Sequence, residues 1–349
     1  MSIAATYLQD LRAQYPSNLD RDELRITQTG LVTMALEMTD SANSIVSGDL
    51  KEKARNSEGR VLSVPVMTKN DITISNVRSC TIAADESNSA FVNIIWQTLV
   101  ANIVMTPQQY KKNEVRYLED LNKKIRETVE KFLVTIEEEL DTSLDTNKTQ
   151  VYNSTIVGDD FLLAGGAIQV PAANNDFFFN FLDPINYADD FYDTEINIVA
   201  SHALMAPVNN YINQGSGNNE NKNFQFAGKN FRFSNRITNA AKSTFYFMPG
   251  GSLGLLTRVD GDSRDGSQAT DGTVWFEDML PGLPFSVGIR YKSKCSDESG
   301  LNAPATGLEH LTATLKEEWQ ISFDFGIVTP YNSDPATKAG AIRKVEFTV

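Results

Sequence analysis

Sulfur and imidazole are scarce: the 349 residues include two cysteines and two histidines. Cys80 and Cys295 are far apart in the chain, giving neither a disulfide framework nor a zinc-ligand spacing, which suits a reducing compartment. Positive charge is in deficit too, with 31 Lys and Arg against 45 Asp and Glu and a net charge of −14. Affinity for phosphate through counterion release needs clustered cations, so this balance argues against a general nucleic-acid-binding surface, and any DNA contact is expected to be weak and non-specific. No run is apolar for long enough to cross a bilayer. The opening MSIAATYLQDLRAQYPSNLD lacks the charged start and apolar core of a signal peptide. These absences predict a protein made and kept in the cytosol, without membrane contact, in which the sequons at Asn147 and Asn153 carry no sugar. At this length the chain can bury a sizeable core in one large or two to three smaller domains.

What the sequence does have is one long amphipathic stretch, TPQQYKKNEVRYLEDLNKKIRETVEKFLVTIEEELDTSL, residues 106–144. Thr106 can cap it, Pro107 suits the first helical position, and Gln109 stands where a capping box wants it. Tyr110, Tyr117, Leu118, Leu121, Ile125, Val129, Phe132, Ile136, Leu140 and Leu144 recur every three or four residues, with charged residues on the other side. With no internal Gly or Pro, the helix is expected to extend over 106–146. Leu118, Leu121, Ile125, Val129, Phe132, Ile136 and Leu140 would form its buried stripe. Its apolar spacing is mostly four, which drifts from a sustained heptad seam, so a rod laid on a sheet is the better reading than a coiled coil.

Strand-rich segments on both sides could supply that sheet. SAFVNIIWQTLVANIVM (89–105) runs into the helix and LTATLKEEWQISFDFGIVTP (311–330) alternates near the C-terminus; the two are expected to pair. An α/β domain with a central sheet is then inserted at 155–305. EINIVASHALMAPVNNYI reads as a buried strand followed by a helix, and STFYFM and FSVGIRYKSK as strands. The aromatics Phe177, Phe178, Phe179, Phe181, Tyr187 and Phe191 read as core or subunit contact. NQGSGNNENKN (213–223) and VDGDSRDGSQATDGT (259–273) read as exposed loops. In the second, Asp260, Asp262 and Asp265 resemble the start of a calcium loop. Arg264 and the late Gly266 depart from that pattern, leaving a solvated acidic turn with calcium as the alternative. Before residue 89, residues 2–45 hold a short amphipathic signal around Tyr7, Leu8 and Leu11 and a further apolar-patterned stretch with little to bury itself against. GRVLSVPVMTKNDITISNV (59–77) offers two alternating strands around Lys69-Asn70-Asp71, with Pro65 suited to an edge. Such a ribbon is marginal alone, so arm and hairpin are expected to pack on neighbouring subunits.

One motif points to catalysis. Gly250, Ser252 and Gly254 have the G-x-S-x-G spacing of a nucleophile elbow, with Asp278 or Asp297 and then His310 following in triad order. The elbow requires a helix directly after the serine, and the residues beyond Gly254 run into RVDGDSRDG, which cannot hold one. The glycines are expected to serve a turn after a strand.

The order arm, extended hairpin, strand, long helix, inserted α/β domain and returning strand resembles the major capsid protein of tailed bacteriophages, the Hong Kong 97 type fold shared with encapsulin shells. The resemblance is carried most specifically by the long helix, by INIVASHALMAPVNNYI and STFYFMPGGSLGLL, and by EEWQISFDFGIVTP. It implies an α+β fold with residues 1–45 as N-terminal arm, 46–85 as extended β-hairpin loop and 86–154 as peripheral domain with the spine helix. Residues 155–305 would be the axial domain, and 306–349 the peripheral return strand and C-terminus. It implies a structural subunit and not an enzyme, without cofactor or metal. Its copies would join as hexamers and pentamers into an icosahedral shell around double-stranded DNA, in a virion assembled in the host cytoplasm. Portal, scaffolding or decoration proteins are further partners such a shell can take. The alternatives are an encapsulin-like nanocompartment shell and a serine hydrolase using Ser252. A negative balance suits a DNA container, because a cationic wall would adsorb the genome.

Overall fold

The computed structural model describes residues 29–67, 89–107, 117–151, 162–171, 182–189, 191, 195–205, 208, 225–226, 229–237, 242–297 and 313–348. Two helices open it, α1 (Gly30–Asp40) and α2 (Gly48–Asn56), followed by strands β1 (Val61–Met67), β2 (Ser89–Ile95) and β3 (Gln97–Met105). The long helix α3 (Tyr117–Asn147) leads to β4 (Leu162–Ala164), β5 (Ala167–Val170), α4 (Leu182–Ala188) and β6 (Ile196–Ser201). Next come β7 (Gln225–Phe226), β8 (Lys229–Ser234), β9 (Lys242–Pro249), β10 (Gly254–Arg258) and the short α5 (Gly261–Asp265). The chain closes with β11 (Val274–Met279), β12 (Ser286–Asp297), β13 (Ala313–Val328) and β14 (Arg343–Thr348). The architecture is α+β.

Helix α3 runs unbroken for 31 residues, about 47 Å at 1.5 Å per residue. The expected start at Thr106 and Pro107 precedes residues 108–116, which lie outside the described residues. Under α3 is a five-stranded antiparallel sheet. Its central strand β13 pairs with β3 on one edge, from Glu317↔Met105 to Phe325↔Gln97. On the other edge β13 pairs with β12 along its first part and with β10 along its last, and β11 completes the sheet beside β12. Phe132 of α3 meets Phe323 of β13 edge-on, with ring centroids 5.1 Å apart, and Phe285 reaches the same ring at 4.9 Å. The expected pairing of the strand entering the helix with the returning strand is therefore present.

A mixed seven-stranded sheet, ordered β4-β5-β14-β9-β6-β8-β7, forms the other half. Every residue of β6 is buried, so this strand is covered on both faces, as its unbroken apolar run requires. Alternate residues serve two cores. Ile198, Phe245, Phe247 and Val345 pack with Leu182 and Ile185 of α4, whereas Val199, Tyr246 and Met248 face the core shared with α3. The C-terminal end of α3 is tied to this sheet, Asp145 accepting from Lys344 Nζ at 2.7 Å.

Two expectations change. The sheets divide the chain differently from the boundaries 155–305 and 306–349. Strands β10, β11 and β12, expected in the inserted domain, join the sheet under α3, and β14, expected with the return strand, sits inside the seven-stranded sheet between β5 and β9. Residues 30–40 are no arm on a neighbour: Leu31, Val32, Met34, Ala35 and Met38 are buried in the main core between α3 and both sheets. A helix this apolar on most sides belongs inside a protein. The described partner of β1 is β2, with register Val61↔Ile95 to Met67↔Ser89, and the strand expected after the turn, within 72–77, lies outside the described residues. The turn at Lys69-Asn70-Asp71 and the signal around Tyr7, Leu8 and Leu11 lie outside the described residues.

Candidate functional site

The β1–β2 ribbon is the most unusual surface. Strict alternation splits its side chains between two faces. Leu62, Val64 and Ile94 turn toward a small core made with Val46, Leu50, Ala54, Trp96, Leu256 and Val328. The other face carries Val61, Pro65, Met67, Phe91 and Ile95, broken by a Ser63–Asn93 hydrogen bond of 2.7 Å. Phe91 is 69% exposed, Met67 76%, Ile95 66% and Val61 49%. Single exposed apolar residues are ordinary, but five sharing one face of a narrow ribbon form a patch of the kind that marks a protein contact. Pro65 has no N–H to give and stands opposite Phe91, in a pair that leaves the β1 edge partly without donors.

The G-x-S-x-G segment is a tight connection between two sheets. Ser252 follows β9 and precedes β10, so its context is strand–turn–strand, without the helix an elbow needs. Ser252 is buried. Gly251 has φ +78°, and a Cβ there would sit 2.2 Å from the Asn43 carbonyl oxygen. Gly254 admits Val46, whose Cγ2 would lie 2.3 Å from an added Cβ. The glycines thus make room for residues 43–46, and Ile45 N–H donates to the Gly251 carbonyl at 3.0 Å. Of the other triad candidates, Asp278 stands on β11, separated from β10 by β12 and β13. His202 is exposed beyond β6, and His310 lies outside the described residues.

The acidic loop 259–273 is built differently from a solvated turn. Asp260 caps α5, its Oδ2 accepting from Ser263 N–H at 3.1 Å, and α5 lies over Gly288 of β12. Asp271 pairs with Lys292 and accepts from Thr273 N–H, and these contacts hold its carboxyl below the usual carboxylate range. Of the aromatic group expected at 177–191, Tyr187 is exposed, and Phe191 lies 5.0 Å under the Arg343 guanidinium; Phe177, Phe178, Phe179 and Phe181 lie outside the described residues.

On α3, Leu121, Ile125, Val129, Phe132, Ile136 and Leu140 are buried, and Leu118 is half-buried at the margin of the same core. Sequence reading missed Leu133 and Glu137, which are buried next in line to Phe132 and Ile136 because α1 covers that side of the helix. Glu137 is wholly inaccessible. It accepts from Leu31 N–H, in the first turn of α1, at 2.9 Å and from Ser234 Oγ at 2.8 Å. The carboxylate therefore satisfies a free donor at the positive end of α1. Burial pushes its pKa up, against the lowering effect of these hydrogen bonds.

Arg343 is likewise fully buried, 3.2 Å from Asp189 and stacked over Phe247 at 4.8 Å; burial pulls its guanidinium down to about 10. Near the end of α3, burial raises Asp141 and Tyr246, while Lys344 and Lys148 hold Asp145 below its ordinary value despite partial burial. These groups are the cement between α3 and the seven-stranded sheet. Among the described residues, no three or more His, Cys, Asp and Glu side chains gather as a metal site, and no helix is long and apolar enough to cross a membrane.

No protein-family model matches the sequence, and no curated protein is significantly similar to it. Solved structures do match in fold. One from Mycobacterium phage Che8 aligns with a TM-score of 0.53 at 9% identity, covering 96% of this chain and 97% of its own. The asymmetric unit of the mature capsid of bacteriophage PhiM1 aligns with a TM-score of 0.51 at 10% identity, covering 96% of this chain and 91% of its own. The fold therefore resembles that of phage capsid proteins along nearly the whole described chain.

Proposed function

We propose that the chain is a structural subunit of the Hong Kong 97 type, which self-assembles as hexamers and pentamers into the icosahedral shell around the double-stranded DNA genome of a tailed bacteriophage. The observation that carries the reading is the match of fold over 96% of the chain to a subunit described as part of a mature capsid. The exposed apolar face of the β1–β2 ribbon supports it independently, since a two-stranded ribbon is marginal in water and gains stability by packing on a neighbour. In this reading α3 is the spine helix, the five-stranded sheet with α3 forms the peripheral domain, and the seven-stranded sheet forms the axial domain. The ribbon is the extended loop. Several modest contacts per subunit then add up around closed rings. Contact with the genome is weak and non-specific, as a net charge of −14 requires.

Negative-stain electron microscopy of the purified full-length protein tests the proposal. Closed shells, or hexameric and pentameric rings, are the expected result. A protein that stays a monomer or small oligomer at high concentration, alone and with the products of its neighbouring genes, overturns it. Shells that form around a protein cargo and never around DNA would favour the nanocompartment alternative.

A further inference from the structure

Both feet of the β1–β2 ribbon converge on one guanidinium. Arg258, the last residue of β10, is only 8% exposed. Its Nε and Nη2 each lie 2.9 Å from Asp324 Oδ2 on β13. Its Nη1 donates to Ser57, to the Oγ at 2.8 Å and also to the carbonyl oxygen. The guanidinium carbon, Cζ, lies over the Trp96 ring, 4.4 Å from its centroid. Ser57 ends α2 just before β1 begins, and Trp96 follows the last residue of β2. Trp96 N–H donates to the Arg60 carbonyl at 3.0 Å, closing the two feet on each other. Asp324 in turn accepts from Thr98 Oγ1 at 2.6 Å, which ties the clamp to the start of β3.

We infer that Arg258 is a positioning residue that fixes the direction in which the ribbon leaves the five-stranded sheet. The planar fork of arginine suits this task, offering one edge to a carboxylate, another to Ser57 and its face to an indole. Lysine could satisfy one of these at a time. The rest of the base is held by apolar contacts around Val46, Leu50 and Leu256 and by Arg264, whose Nη1 donates to the Arg55 carbonyl at 2.9 Å near the end of α2, without reaching either strand. Apolar packing limits how far a strand pair moves but is non-directional. The guanidinium supplies direction. The clamp stands on the geometry of a single chain; its consequence, that the angle of the ribbon sets how one subunit meets the next, rests on the shell reading above.

Amide hydrogen exchange of the purified protein, compared with Arg258→Gln in the same assembly state, tests the clamp. Each hydrogen bond to a charged group that is removed is worth a factor of about ten or more in local opening. Exchange within 61–67 and 89–95 is therefore expected to rise by about tenfold or more, while β6 and β9 keep wild-type protection. Unchanged exchange in the ribbon overturns the inference, and so does an equal rise across all strands, which would make Arg258 a general stabiliser. Should Arg258→Gln fail to fold, the isosteric Asp324→Asn is read in the same way. Electron microscopy separates the two readings. Absence of shells from the wild type removes the shell function and leaves the clamp standing, whereas a ribbon unaffected in exchange removes the clamp whatever the particles look like.

Discussion

Replacing Glu137 tests how a buried charge can belong to the core. Glu137→Ala leaves Leu31 N–H and Ser234 Oγ–H without their acceptor in a site sealed from water. Each unpaired buried donor costs about 1–3 kcal/mol, partly offset by no longer burying a charge, so the net loss is about 2–4 kcal/mol. With a urea slope near 3 kcal/mol per molar, the midpoint falls by about 1 M. Glu137→Gln keeps one acceptor oxygen for Leu31 N–H and is expected to cost about 1 kcal/mol. The pH dependence has a definite sign. Burial raises the carboxyl above its ordinary glutamate value in the folded protein. Its contribution to stability is thus fully present below the unfolded pKa and is lost as pH rises through the folded one. Glutamine does not titrate, so the deficit of Glu137→Gln relative to wild type is largest in acid and narrows toward neutrality. Intrinsic tryptophan fluorescence reports it well, since Trp319 lies in the core under α3. A Glu137→Ala protein with an unmoved midpoint, or a Gln deficit that widens as pH rises, refutes the reasoning.

Gly251→Ala forces a left-handed backbone on alanine and drives a Cβ into the Asn43 carbonyl. A loss of about 2 kcal/mol or more is expected, read as a lower melting temperature and as new protease cleavage within 41–57. Phe91→Asp changes an exposed side chain, so the subunit melts within the small range of surface substitutions, about 0.5 kcal/mol, while shells fail to form under the microscope; normal shells would deny the ribbon face its role. Ser252→Ala is expected to leave both particle formation and any background ester hydrolysis at wild-type levels, and loss of a hydrolytic activity on this change would revive the enzyme reading.

The long helix was legible because a 3.6-residue period survives whatever the stripe packs against, and β3 and β13 were legible as alternating, β-branched segments flanking it. Which sheet each later strand joins was not legible. GLLTR, VWFEDM and RKVEFT are each good strands, and nothing local in them says that the first two lie under α3 while the last enters the other sheet. That β1 pairs with β2 was not legible for the same reason, since residues 72–77 alternate in sequence as well as 89–95 do. Helix α1 was visible as an apolar pattern but misassigned, since GLVTMALEMTD is apolar on too many sides for a surface arm. Glu137 and Arg343 could not be found, because a charged letter inside an amphipathic helix or strand reads as solvated until the neighbour that buries it is known. The exposed face of the ribbon was half legible, as alternation without a sequence-visible cover.

Strands β13 and β14 reach back from the last part of the chain to the middle of each sheet, β13 between β3 and the pair β10 and β12, β14 between β5 and β9. Residues 313–348 must therefore have left the ribosome before both sheets can close. Products that stop before residue 313 are left with open sheet edges and are fit for degradation. Because strand partners lie hundreds of positions apart, as Thr98 and Asp324 do, acquisition of the native state is slow compared with a helical bundle. Synthesis through β14 thereby becomes the condition for completing both sheets.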